Sequence, residues 1–154
     1  MGVSHNLTKK LGIVFAVSVG IVLVFLLVVS NMQWYNAEDY RLKIPNGFHV
    51  SVDGETVLLY RVEEPVGGVT HYIESMTYDD LIILLQKGEE WESYSLESDL
   101  FSDKLLSFVN VDGEEYHHYI YRSLNGGIYD LWLNSGKISD AVETEIVEQF
   151  KLVA

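Results

Sequence analysis

Residues 11–30 form an unbroken apolar run, LGIVFAVSVGIVLVFLLVVS, with no charge, no proline, and Ser18 and Ser30 as its mildly polar members. As a helix rising about 1.5 Å per residue the run measures about 30 Å, the thickness of a bilayer's hydrocarbon core. Beyond it the pattern changes to short alternating segments. Residues 31–43 read as a polar tether, ended by the turn signature Pro45-Asn46-Gly47. Residues 48–52 alternate Phe, Val and Val against His49 and Ser51, which predicts a half-buried strand. Asp53-Gly54 predicts a tight type I′ hairpin turn with residues 56–62 as the return strand. A loop over 63–68 and a third strand over 69–76 follow. Thr77-x-x-Asp80 has the form of a helix start, so residues 81–85 read as a short helix closed by Gly88. Residues 89–103 are acidic and irregular. A second hairpin is expected from 104–111 and 114–123 around Asp112-Gly113, then a strand over 128–133. The last helix spans 140–150, with Asp140 as its cap and Glu143 three positions on. Val142, Ile146, Val147 and Phe150 share one of its faces.

These elements predict an α+β chain: a transmembrane helix, then a mainly antiparallel sheet of about six strands with two helices on one face. The domain organisation is a cytoplasmic tail (1–10), the membrane helix (11–30), the tether (31–43) and an extracytoplasmic domain (44–154). An internal echo supports two β-β-β-α repeats. A shift of 59 residues places Val50, Val52, Asp53, Gly54, Glu55, Tyr60, Gly67 and Gly68 on Val109, Val111, Asp112, Gly113, Glu114, Tyr119, Gly126 and Gly127. Turn dipeptides recurring in any antiparallel protein are the competing explanation.

Length favours a permanent anchor over a cleaved signal, whose apolar region runs about 7–15 residues, although Val28-Val29-Ser30 has the form of a weak cleavage site. Lys9 and Lys10 place the amino terminus in the cytoplasm and the large domain outside, with Trp34 and Tyr35 at the outer interface. This predicts a single-pass protein of the cell membrane. Gly12, Ala16 and Gly20 recur every four residues and offer a smooth stripe through which two membrane helices could form a homodimer.

The chain has ten Lys plus Arg against 23 Asp plus Glu. Two of the lysines precede the apolar run and every acid follows it, which leaves the remainder at −15. Such a field disfavours nucleic acid and favours cationic partners. Absence of cysteine removes disulfides, so stability must come from apolar burial.

Chemistry is sparse. His117 and His118 point to opposite faces of one strand, and a metal site from His49, His71 and one of that pair lacks ligand spacing of the HxxxH or HExxH kind. The chain has no Gly-x-Ser-x-Gly elbow and no calcium-loop pattern. No cofactor is implied. The aromatic strands stand out: Tyr119 and Tyr121 share a face with His117, and with Tyr129 and Trp132 they make the candidate binding face.

At Val66-Gly67-Gly68-Val69, at His118-Tyr119-Ile120-Tyr121, through Tyr129-Asp130-Leu131-Trp132 and at Ile146-Val147-Glu148-Gln149-Phe150-Lys151, the sequence resembles uncharacterised small single-pass membrane proteins of Gram-positive bacteria. The YDLWL strand and the closing helix ending in Phe-Lys are also similar to the carboxy-terminal half of PsbP/Mog1-like domains. The resemblance implies a sheet-plus-helix fold at a bacterial cell surface and no catalytic residues. The expected role is a membrane-anchored binding or accessory module, not an enzyme, whose partner is another membrane protein or a basic peptide. The alternatives are an immunity or inhibitor protein against a cationic toxin, and a metal-assisted hydrolase using the strand histidines.

Overall fold

The computed structural model describes residues 33–72, 76–88 and 90–153. The expected membrane helix at 11–30, with Gly12, Ala16 and Gly20, lies outside the described residues. Among the described residues no helix is long and apolar enough to cross a membrane. In chain order the elements are β1 (Gln33–Asn36), β2 (Tyr40–Ile44), β3 (Phe48–Asp53), β4 (Thr56–Arg61), β5 (Glu64–Tyr72), α1 (Tyr78–Gly88), β6 (Trp91–Glu97), β7 (Lys104–Asn110), β8 (Glu115–Arg122), β9 (Ile128–Asn134), α2 (Asp140–Gln149) and β10 (Lys151–Leu152).

Seven strands make one sheet in the order β3-β4-β5-β9-β8-β7-β6, every neighbouring pair antiparallel. Two meanders, β3-β4-β5 and β7-β8-β9, meet through β5 and β9, and each is followed by a helix. The α+β class and antiparallel sheet match expectation. The strand number does not, because ten strands are present among the described residues. The stretch expected to be a tether forms β1 and β2, which join β10 in a second sheet. The alternation in β2 explains this: Tyr40, Leu42 and Ile44 are buried while Arg41 is exposed, so a short polar-looking segment supplies three core side chains.

The two helices cover opposite faces of the large sheet, correcting the expectation that both lie on one. Tyr119, Tyr121, Tyr129, Leu131 and Leu133 point to the α2 side and pack with Ile146, Val147 and Phe150. Ile120 and Ile128, of opposite parity, point to the α1 side and pack with Leu81 and Ile82. The central strands are therefore buried on both faces, as the largely buried β9, IYDLWLN, shows. Complete burial of a side chain such as Leu59, Leu131 or Ile146 contributes about 1.5–3 kcal/mol each.

Local chemistry sets the ends of the elements. Thr77 Oγ1 accepts from Asp80 N at 3.2 Å, and Asp80 Oδ2 accepts from Thr77 N at 3.1 Å, a reciprocal cap on α1. The cap of α2 falls on Ser139, one residue before the expected Asp140, through backbone alone. Its Ser139 carbonyl accepts from Val142 N and Glu143 N. The β3–β4 turn is Gly54-Glu55, with φ +60° at Gly54 only, so it is of the II′ kind and not I′.

The double glycines of the internal echo occupy different places. Gly126 and Gly127 belong to the β8–β9 turn, whereas Gly67 and Gly68 lie inside β5. A Cβ on Gly67 would stand 2.8 Å from the Trp132 carbonyl oxygen. One on Gly68 would stand 2.8 Å from the Val57 carbonyl oxygen and 2.9 Å from Trp132 Nε1. Close approach of neighbouring backbone and the Trp132 indole, not a turn, explains glycine there.

Candidate functional site

Adjacent positions on β8 send His117 to the α2 side and His118 to the α1 side, and each histidine meets a buried carboxylate. On the α2 side Glu143, in the first turn of the helix, is 6% exposed. Its Oε1 accepts from Tyr119 OH at 2.9 Å and bonds His117 Nδ1 at 2.6 Å. The Glu143 hydrogen bond raises the His117 pKa above its ordinary value against the opposing effect of burial, with the charges of Glu143 and Glu115 adding to the rise. Burial and the neighbouring Glu143 likewise push the Tyr119 hydroxyl upward, so it stays a donor. This cluster pins α2 to the sheet.

On the α1 side His118 is 6% exposed and Asp130 1%. His118 Nδ1 lies 2.9 Å from both Asp130 oxygens, a contact between neighbouring strands β8 and β9. Around it the register aligns two rows across the sheet. One runs Gly68, Trp132, His118, Leu106, Leu96; the next runs Asn134, Tyr116, Phe108, Tyr94. The second row carries a run of rings in contact. Trp91 stacks on Phe108 at 4.4 Å between centroids, Phe108 on Tyr116 at 5.2 Å, and Tyr116 lies 6.3 Å from Trp132. Tyr94 is exposed at the edge strand β6 and leans on Trp91 at 5.5 Å. Trp91, Tyr116 and Trp132 are half-buried. The apolar core under α1 is centred on Leu106, Ile120 and Ile128, and Trp91 packs against its edge.

The candidate binding face predicted from sequence is divided by this arrangement. Tyr119, Tyr121 and Tyr129 are at most 9% exposed and belong to the core beneath α2. His117 is on that face and held by Glu143. Trp132 alone of the five is on the α1 side, with the aromatic run. The alternation along β8 was legible; the assignment of the open side was not, because burial of Tyr119 and Tyr121 depends on where α2 docks. The residues that sequence reasoning passed over are Trp91, Tyr94, Phe108 and Asp130. The histidines considered for a metal are not gathered. His49 stacks on Tyr60, His71 on Tyr129, and His117 and His118 have separate carboxylates on opposite faces. Among the described residues no three acidic or histidine side chains are grouped as a metal would need.

No protein-family model matches the chain, and no curated protein matches it. Among solved structures it is similar to the solution structure of cyanobacterial PsbP (CyanoP) from Synechocystis sp. PCC 6803, at 14% identity and a TM-score of 0.45. That match covers 80% of this chain and 93% of that one. The likeness concerns the course of the backbone, and no residue role follows from it.

Proposed function

We propose that the chain is a membrane-anchored binding module that works outside the cell and carries out no chemical step. Residues 11–30 hold it in the bilayer with the amino terminus cytoplasmic, and the aromatic end of the α1-side sheet face engages a basic segment of another membrane protein or peptide. The observation that carries this reading is the connected run Trp91, Phe108, Tyr116, Trp132, with Tyr94 exposed beside it. Aromatic side chains combine large apolar area with low ordering cost and are enriched where proteins meet partners. One acid stands next to the rings: Tyr116 OH donates to Glu114 at 2.9 Å, and Glu114 also pairs with Lys137 at 3.0 Å. Aromatic rings on a chain of net charge −13 suit lysine or arginine through cation–π contact. Trp91 Nε1 and both polar side-chain atoms of Asn134 are buried with no hydrogen-bond partner among the described residues. Each such atom carries a desolvation cost of about 1–3 kcal/mol within the fold.

The test is a photo-crosslinking amino acid in place of Tyr94 in intact cells, with the same probe at Glu148 on α2 as comparison. Adducts at position 94 that disappear when Trp132 is also changed to Ala are expected. Equal adducts at 94 and 148, or none at 94, contradict the reading. Recovery of the chain free in the medium with Asn31 as its first residue would remove the anchor from it.

A further inference from the structure

Where the second half of α1 crosses the sheet, a cavity of about 240 Å³ is lined by Tyr72, Leu84, Leu85, Gly88, Phe108 and His118. Its walls are aliphatic and aromatic, with His118 as the buried polar group and Tyr72, whose hydroxyl pKa burial and the charge of Asp130 raise, beside it. Asp130 behind the ring takes both contacts to Nδ1, so that nitrogen donates to the carboxylate, and in the neutral tautomer Nε2 keeps its lone pair as an acceptor. Nε2 has no hydrogen-bond partner among the described residues. Phe108 lies against His118 with 5.4 Å between ring centroids and 30° between planes, its ring already stacked with Trp91 and Tyr116. The mouth is open at Gly88, where an added Cβ would meet nothing within 4 Å, and Leu84 is 42% exposed at the rim.

We infer that this cavity seats one ring-sized apolar group carrying a single hydrogen-bond donor, the phenol or indole class, with the donor on His118 Nε2. Size and lining select that class: an apolar cavity of about 150 Å³ already accepts benzene, and the present one has room for a ring with its substituents. An aliphatic chain would leave the acceptor unused, and an anion would face its lone pair with Asp130 behind it. The inference deepens the binding role proposed above by naming the chemistry of one anchor. The same ring comes from a free phenol or from a tyrosine or tryptophan side chain of a partner, and the experiment separates the two.

The full chain in detergent, with ¹⁵N-labelled histidine, is titrated with 4-methylphenol, with 4-methylanisole and with N-acetyltyrosinamide. 4-Methylphenol should move the His118 Nε2 resonance and saturate with a Kd of about 1 mM, the range of an eight-atom ligand. The methyl ether, lacking the donor, should bind about tenfold more weakly. Leu84→Trp and Gly88→Trp, both at the rim, should weaken binding about tenfold without moving the unfolding midpoint. Binding of N-acetyltyrosinamide as well assigns the seat to a side chain; its failure beside bound 4-methylphenol assigns it to free phenols. A stationary Nε2 resonance, equal affinity for the ether, or binding unchanged in both rim variants overturns the inference. Phenol binding without crosslinks at position 94 refutes the binding-module reading alone; crosslinks without phenol binding refute the cavity alone.

Discussion

Replacing Glu143 by Gln tests how α2 is held and what pH does to it. The native carboxylate oxygen receives Tyr119 OH and His117 Nδ1 at 2.9 and 2.6 Å in a site 6% exposed. Hydrogen bonds to charged groups are worth about 1.5–3 kcal/mol and neutral ones about 0.5–1.5, so the variant should lose about 1–2 kcal/mol while His117 is protonated. The pKa of His117 is raised in the folded chain by Glu143, so its stabilising contribution is complete below the unfolded value of about 6.5 and is lost as pH rises through the folded value. The native chain should therefore lose stability as pH rises from the unfolded value of about 6.5 through the raised folded one, and Glu143→Gln should flatten that loss. Glu143→Ala, which strands both donors and opens a hole, should cost about 3–5 kcal/mol. The assay is urea denaturation of the full chain in detergent, followed by tryptophan fluorescence at several pH values. Equal pH slopes for the native chain and Glu143→Gln would refute the reasoning.

Two further changes probe the frame of the site. Gly68→Ala places a Cβ 2.8 Å from a backbone oxygen that cannot move aside, so it should cost about 1–3 kcal/mol and shift the emission of the Trp132 indole, read by denaturation and fluorescence. Thr77 holds the Asp80 carboxyl below the usual range, by its side chain first and its backbone second. Thr77→Val should return that pKa upward in an NMR titration and speed amide exchange in the first turn of α1. The support Asp80 gives exists above its unfolded pKa and fades as pH falls through the folded one.

Much of the frame was readable in the chain because local rules and tertiary packing agree there. The Thr77–Asp80 cap, the β3–β4 hairpin and the apolar side of α2 each carry their own signal. β2 carried one too, in the alternation of Tyr40, Leu42 and Ile44, but Arg41 and Lys43 made the segment look like a linker. β6 reads WESYSLE without clean alternation, as an edge strand with one side paired allows. Gly67-Gly68 has the composition of a loop and the position of a central strand, since the reason for glycine is the indole of Trp132 and a neighbouring carbonyl. In Ile128–Leu133 apolar residues fall on both parities, a signal for opposite-face helices that Asp130 interrupts. The His118–Asp130 contact had no such signal, because it exists only once β8 and β9 are in register.

Hydroxyl-radical footprinting of the chain in native membranes, set against the purified chain in detergent, measures the recognition surface directly. Tyr94 and Trp132 should be oxidised several-fold less in the membranes than after purification, while Phe101, exposed on the loop before β7, should be labelled equally in both. Equal oxidation of Tyr94 and Trp132 in the two preparations would mean that nothing docks on the aromatic face, and the account would be wrong at its centre.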